Sequence, residues 1–402
     1  MMKKRLLIDS LFSLFIIFYF GIGTYPQLKV GDFKPHLMWA RQLAENGTIS
    51  IPHILFQQLV VIVRAIIPFN FLEKALPSLE AALSVKTYDI AGLVIAISCY
   101  LATAWILVSR FSKKLNDGQV EKSNMVGWIA AFVSLVVCPI FIFTLGDRLI
   151  LGYIPGNILH NPTYILMRPF AILLFFLTIE QFDKVSTRWD LLLAALLIIF
   201  ATLAKPNFAL SFLPALVILL LFHYSDRKKW NWRFVFTLMI PAGVLLLVQY
   251  FLTYSSAGDN KVIFAPFTAA LVYTHSFPNI LFFFLLSLAF PISILAAYWK
   301  NATSNIAIQL SWINFLVGLI TFLLFTEVAS ISSLNFLWGP MLGVFILFVE
   351  SIGLLIGELS ASRANGSKMG LREIIPTSIL ALHVVSGFVY YFATTLYPGP
   401  VI

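Results

Sequence analysis

Residues 234–254, FVFTLMIPAGVLLLVQYFLTY, indicate the fold class of this chain. It contains no charged residue, and a helix of this length can cross the hydrocarbon core of a bilayer. Similar apolar runs occur near residues 6–25, 88–109, 125–145, 163–181, 190–204, 207–223, 278–298, 309–328, 335–357 and 375–395. The pattern predicts an all-α, polytopic integral membrane protein with about eleven transmembrane helices.

The composition agrees with this prediction. Charged residues make up only 11% of the 402 residues, and hydrophobic residues make up 60%. Soluble domains carry roughly 25% charged residues, so the chain lacks the polar side chains that would cover a surface in water. The composition therefore excludes a soluble enzyme and a disordered chain, and the solid apolar blocks exclude an outer-membrane barrel.

The net charge of +9 is interpreted as a signal of topology rather than of nucleic-acid binding, because Lys and Arg collect in cytoplasmic loops. The segment 51–72 is the difficult one, since it is long enough to cross. If it crosses, the basic clusters at 110–114 and 227–229 lie outside. We therefore expect 51–72 to form an amphipathic helix at the outer interface, within a first outer segment 26–87, with the N-terminus in the cytoplasm.

The unusual polar residues then fall mostly on the outer side, near the ends of the predicted spans. This placement favours an outward-facing reaction or binding site. The candidate residues are Asp32, His36, Asp147, Arg148, His160, Asn161, Arg168 and Lys205.

Asp32 has a structural and a chemical interpretation. It could cap a surface helix over 33–45, although Pro35 has no backbone N–H to offer a cap. Asp32 and His36 are four residues apart, so a regular helix would put them on one face. There the carboxylate could serve as a general base, and the imidazole could orient it or bind an anion.

The other candidates also have structural alternatives. Asp147 and Arg148 could form an interfacial ion pair, and Asn161 is placed to cap a helix that starts at the following proline. Arg168 lies inside a predicted span, where an unpaired guanidinium is costly. Arg168 and Lys205 could reach outward to water or bind an anion such as a phosphate.

Several kinds of chemistry lack support in the sequence. There is no nucleotide-binding glycine loop, no HExxH zinc motif and no nucleophile elbow. One carboxylate with scattered histidines is a poor site for a divalent metal, so we expect no cofactor.

Three segments together resemble the type-C integral-membrane glycosyltransferases. They are GDFKPHLMWARQLAENG (31–47), IPHILFQQLV (51–60) and ATLAKPNFALSFLPAL (201–216), the last being similar to the Lys-Pro turn of polyprenyl-phosphate-mannose-dependent members. The resemblance covers residues 1–255, as a catalytic membrane module, and leaves 256–402 as further helices of the same membrane domain. This chain departs from better-known members in having Asp32 alone rather than paired acidic residues.

The resemblance implies an inverting transfer of a hexose such as mannose from a polyprenyl-phosphate donor. Asp32 would be the general base, and the other candidate residues would hold the donor. The acceptor would be a glycan, a lipid or a protein, reached at the outer face of the cytoplasmic membrane, with membrane lipids as neighbours and no nucleic-acid partner. The alternatives are a transporter or flippase for a lipid-linked substrate and an enzyme like the O-antigen polymerases and ligases.

Overall fold

The structure is a computed structural model that describes residues 2–49, 51–66, 80–115, 120–142, 149–182, 184–223, 230–254, 261–366 and 368–398. Helices account for 82% of the described residues, and eight helical segments among those residues are long and apolar enough to cross a membrane. These segments are Lys4–Lys29, Thr87–Lys114, Pro162–Glu180, Trp232–Tyr254, Phe277–Ala297, Ile306–Leu324, Ile331–Ala364 and Leu371–Leu396. The protein is therefore an all-α, multi-pass membrane protein.

The N-terminal part contains nine helices among its described residues, and a 3₁₀ turn at Tyr25–Lys29 joins the first two. The helices are α1 Met2–Thr24, α2 Phe33–Asn46, α3 Leu55–Ile66, α4 Glu80–Lys114, α5 Val120–Val136, α6 Pro162–Glu180, α7 Arg188–Ala204, α8 Asn207–His223 and α9 Trp232–Tyr254.

The C-terminal part adds further helices and a small two-stranded antiparallel sheet. Its elements are β1 Val262–Phe264, α10 Thr268–Thr274, α11 Phe277–Ala297, α12 Trp299–Ser304, α13 Ile306–Leu324, β2 Phe325–Glu327, α14 Trp338–Ala364 and α15 Leu371–Leu396. Two short 3₁₀ turns, Val328–Ser333 and Asn335–Leu337, lead from β2 into α14.

Helix α3 covers part of the segment 51–72. Its 12 described residues extend over about 18 Å. It packs against α2 and α4. Residues 67–79, which include the last part of the segment 51–72, lie outside the described residues.

Helices α6 and α14 form the centre of the bundle. In their most apolar stretches, 83% and 89% of the residues are buried inside the protein. Helix α6 packs along α4 and α7, while α14 packs along α13. The approach of α13 and α14 is close enough to require glycine: a Cβ on Gly343 would lie 2.7 Å from the Cα of Phe315. Helix α8 packs against α13 and α14, so helices from both sides of residue 255 share one core.

Two predicted runs are shorter as helices than the sequence suggests. The run 125–145 was expected to be helical throughout, but α5 ends at Val136. Beyond it, the backbone N–H of Cys138 donates to the carbonyl of His383 at 3.1 Å, and the Asn157 amide donates to the Val137 carbonyl at 2.9 Å. Buried partners on other elements thus replace the helical bonds. The run 309–328 likewise leaves the helix after residue 324 and ends in β2.

Candidate functional site

The site begins at the turn between α1 and α2. Gly31 has a φ of +55°, a left-handed conformation that favours glycine. A Cβ at this position would also lie 3.3 Å from the Cβ of His160. The turn can therefore press against the loop before α6, which brings Asp32 to the first turn of that helix.

The Asp32 carboxylate is not used to cap α2. Asp32 occupies the N-cap position, but its side chain makes no capping hydrogen bond, in agreement with the missing N–H at Pro35. Instead its Oδ2 accepts a hydrogen bond from the Nδ2 of Asn161. Asp32 as a residue is partly exposed.

Asn161 is the N-cap of α6, and Pro162 is the first helical residue, as the sequence predicted. Its Oδ1 accepts from the backbone N–H of Tyr164 at 2.8 Å and from the Thr163 hydroxyl at 2.9 Å. Because the oxygen is occupied by the cap, the amide nitrogen has to face the other way. That direction leads to Asp32.

Lys205 lies in the turn between α7 and α8 and is buried, with 6% of its surface exposed. Its Nζ donates to the Thr163 Oγ1 at 3.2 Å and lies 4.2 Å from the centre of the Trp338 ring. Burial lowers the pKa of the Lys205 ammonium to about 8, while the nearby Asp32 carboxylate opposes that shift. The ammonium is therefore mostly charged at neutral pH.

These contacts form one directed chain of hydrogen bonds. Lys205 donates to the hydroxyl of Thr163, Thr163 donates to the amide oxygen of Asn161, and the amide nitrogen donates to Asp32. Each donor polarises the next group in the same sense. These hydrogen bonds hold a cation and a carboxylate at fixed positions around the start of α6.

Three histidines lie near this series of hydrogen bonds, and burial lowers the pKa of each. His36 falls to about 2, with further contributions from His53 and Lys205. His53 falls to about 3, with Lys205 as the second cause. The pKa of His160 also falls through burial, although Asp32 acts in the opposite direction. At neutral pH the three imidazoles are therefore uncharged and offer one donor and one acceptor each.

The His36 ring, which could have oriented the Asp32 carboxylate, contacts Gln57 instead. His36 is buried, and its Nδ1 lies 2.6 Å from the Nε2 of Gln57 on α3. Its backbone N–H, rather than its ring, bonds to Asp32, at the carbonyl oxygen. His36 thus joins α2 to α3 beside the site.

Arg168 lies one layer deeper, within α6. Its side chain is 1% exposed, and its guanidinium carbon lies 4.9 to 5.3 Å from the ring centres of Tyr100, Tyr164 and Phe345. None of its nitrogens meets hydrogen-bonding geometry with a described residue. Tyr164 in turn lies 5.8 Å from Trp338, ring centre to ring centre. Arg168 therefore packs against the aromatic rings beneath Lys205 and does not join the series of hydrogen bonds from Lys205 to Asp32.

Two predicted residues, Asp147 and Arg148, lie outside the described residues. The sequence interpretation also missed members of the site. Thr163 and Trp338 gave no signal, since both are ordinary residues of a first helical turn, and His53 was visible only as part of the Pro-His segment. Within the described ranges, no group of three His, Cys, Asp or Glu residues is arranged to hold a metal ion.

The chain matches no protein-family model, no curated protein and no solved structure. The site is therefore interpreted from its own residues.

Proposed function

We propose that this protein is an inverting glycosyltransferase that takes a hexose from a polyprenyl-phosphate donor. The observation that carries the proposal is the hydrogen-bonded chain from Lys205 to Asp32. It fixes a carboxylate, which can accept a proton, and an ammonium, which can hold a phosphate, around one helix start. This is the pair of groups that transfer from a phosphate-linked sugar requires.

The reaction is a single displacement. The oxygen of an acceptor hydroxyl forms a bond to the anomeric carbon of the sugar while its proton passes to the Asp32 carboxylate. The bond between the anomeric carbon and the phosphate oxygen breaks, and its electron pair leaves with the polyprenyl phosphate. Attack opposite to the leaving group inverts the configuration at that carbon.

Lys205 is the residue that holds the donor phosphate in this proposal. Charge develops on the phosphate oxygen as the bond breaks, and a fixed cation in a partly dry site stabilises that charge strongly. Trp338 and Thr163 keep the ammonium in place. The neutral imidazoles of His53 and His160 supply further hydrogen bonds to the donor without adding charge.

Arg168 has a supporting role in the same account. Its guanidinium contacts three aromatic rings, and such contacts are worth about 2 kcal/mol or more when they are desolvated. It stabilises Tyr164 and, through it, the position of Trp338. A direct contact between Arg168 and the phosphate stays a prediction.

The proposed topology has eleven spans, with the N-terminus in the cytoplasm and Asp32 at the outer face of a cytoplasmic membrane. Helices α5, α7 and α8 complete the count beside the eight long segments. Each has 17 residues and is about 25 Å long, the lower limit for a span. The orientation rests on the basic residues, which the positive-inside rule places in the cytoplasm.

The test is a transfer assay with purified protein, labelled polyprenyl-phosphate sugars and mixed acceptors. Asp32→Asn should lower turnover by about 10²–10⁴-fold, the usual contribution of a general base. The matched control is Glu45→Gln on the same helix, because Glu45 is exposed and pairs only with Arg41 among the described contacts. Unchanged transfer by a folded Asp32→Asn variant would show that the base has been assigned wrongly.

A further inference from the structure

A separate cavity lies at the end of α6 that is remote from Asp32. It is a cavity of about 370 Å³ between the end of α6, the end of α8 and the start of α9. Helix α6 has 19 residues and is about 28 Å long. That length is close to the thickness of the hydrocarbon core, so the cavity and the Asp32 site lie near opposite membrane interfaces.

The wall of the cavity is largely apolar. Leu216 and Leu220 on α8 and Phe234 on α9 line it and are all nearly buried by the surrounding helices. Lys184 lies at its rim, with a side chain that is 42% exposed. The cavity thus combines a hydrocarbon-like wall with a cationic rim.

Two buried hydrogen-bond donors in the wall have no acceptor. Trp230 and Gln181 are 7% and 6% exposed, and the Nε1 of the first and the Nε2 of the second bond to no described group. A buried donor without a partner destabilises the folded protein. Both nitrogens belong to side chains that line the cavity, so an acceptor bound there would remove this cost.

The direction of the Gln181 amide is set by its neighbours. The Oδ1 of Asn231 accepts from the backbone N–H of Phe234 at 3.3 Å, so its Nδ2 donates to the hydroxyl of Ser186 at 2.6 Å. The Ser186 hydroxyl proton then goes to the Oε1 of Gln181 at 2.5 Å. The oxygen of Gln181 is therefore occupied, and its NH₂ group is left to face the cavity.

Among the described residues, the polar groups available to a ligand in the cavity are hydrogen-bond donors and one cation. No carboxylate of a described residue lines the cavity; Glu180 and Asp190 lie outside it, where they contact the Lys184 ammonium at 3.4 and 3.5 Å. A ligand that fits has to be rich in acceptors at one end and apolar at the other. We infer that the cavity binds a membrane phospholipid, with its phosphodiester group on Gln181, Trp230 and Lys184 and an acyl chain along Leu216, Leu220 and Phe234.

This inference does not depend on the glycosyltransferase proposal, because it concerns other residues at the opposite end of the bundle. A lipid rather than free phosphate is inferred from the apolar wall and from the depth of the cavity, at the level where lipid phosphates lie. Phosphate oxygens are strong acceptors, and hydrogen bonds from a cation to phosphate are about twice as strong as neutral ones.

The test is native mass spectrometry of the delipidated full-length protein in detergent. It is titrated separately with phosphatidylglycerol, with diacylglycerol of the same acyl chains, and with inorganic phosphate. Phosphatidylglycerol should bind at one saturable site, at least tenfold more tightly than diacylglycerol. Trp230→Phe and Gln181→Met should each weaken that binding roughly tenfold, while Trp189→Phe, at a site that is 78% exposed, should not.

Gln181→Glu provides a second variant if Trp230→Phe fails to fold. It keeps the shape of the side chain and the bond from Ser186 but turns an acceptor towards the phosphate, so binding should be lost. Equal binding of phosphatidylglycerol by all variants would mean that only surrounding lipid is detected and would overturn the inference. Equal binding of diacylglycerol, or variant-sensitive binding of inorganic phosphate alone, would overturn the choice of a phospholipid.

Discussion

At the scale of single residues, the site depends on side chains that each serve two partners. Asn161 caps α6 through its oxygen and holds Asp32 through its nitrogen, and Thr163 links Asn161 to Lys205. The sequence could identify Asp32, Asn161 and Lys205, because a charged or capping residue near the end of an apolar run is unusual. It could not identify Thr163, since its role depends only on where α7 ends in space.

The double role of Asn161 can be separated by two substitutions. Asn161→Ala removes both the cap and the bond to Asp32, so it should cost about 0.5–2 kcal/mol of stability and also reduce transfer. Asn161→Ser keeps a good capping oxygen but has no amide to donate to Asp32. Serine should therefore leave the melting temperature nearly unchanged while transfer falls at least tenfold.

Thermal unfolding in detergent and the transfer assay, run on the same preparations, check this prediction. If Asn161→Ser is as active as the original protein, the bond between Asn161 and Asp32 has no functional role.

The Lys205 ammonium predicts an alkaline limit to activity. Burial puts its pKa at about 8, so the phosphate-holding cation is lost as the pH rises through that value. Stability should change in the other direction. Between about pH 8 and the ordinary value of 10.5, the unfolded chain binds more protons than the folded one at this residue, and its contribution to stability therefore rises with pH.

A pH profile of kcat/KM, measured beside thermal stability, tests this prediction. The activity of the original protein should fall with a midpoint near pH 8 while its fold persists. In Lys205→Arg the guanidinium stays charged across this range, so the alkaline fall should move upward by more than one pH unit in whatever activity remains. A fall with the same midpoint in both proteins would assign it to another group.

At the scale of elements, the apolar runs predicted where helices occur but not where every helix stops. Helix α5 stops at Val136 because Asn157 and His383 satisfy the backbone beyond it. These partners lie 20 and 245 residues away along the sequence. Strands β1 and β2 pair antiparallel over three residues, from Val262 with Glu327 to Phe264 with Phe325. Because helices α10 to α13 separate the two strands in the sequence, no local pattern indicates this pairing. Local periodicity carries no information about these long-range bonds.

The close contact between α5 and α15 requires a glycine at position 387. A Cβ on Gly387 would lie 1.9 Å from the carbonyl oxygen of Val136, so the two elements would have to separate. Gly387→Ala should therefore prevent stable folding or lower the melting temperature by several degrees. The matched control is Gly357→Ala in α14, where a Cβ meets nothing within 4 Å and the helix should gain roughly 0.5–1 kcal/mol.

Size-exclusion chromatography and thermal unfolding of the two variants are sufficient for this comparison. Equal stability of the two alanine variants would contradict the close contact between α5 and α15.

At the scale of the whole molecule, composition alone was enough to predict a multi-pass helical protein, because too few polar residues remain for a surface in water. Orientation was argued from the basic residues. It predicts that a membrane-impermeant thiol reagent reaches Ile49→Cys from outside intact cells and does not reach Val185→Cys. Both positions are exposed, at 58% and 90%, whereas the native Cys99 and Cys138 are buried.

Labelling of Val185→Cys from outside, with Ile49→Cys protected, would reverse the orientation and move the Asp32 site to the cytoplasmic face. The original protein, which has only the two buried thiols, is the control for background labelling.

In the proposed function, the Asp32 end of the bundle transfers a sugar rather than moving a lipid across the membrane. The most direct measurement follows a doubly labelled polyprenyl-phosphate hexose, with one label in the sugar and one in the phosphate, in proteoliposomes that contain the purified protein and mixed acceptors. The account predicts that the two labels separate, with polyprenyl phosphate released in equal amount to an inverted glycoside. Movement of the donor across the bilayer with both labels still joined, and no glycoside formed, would contradict it.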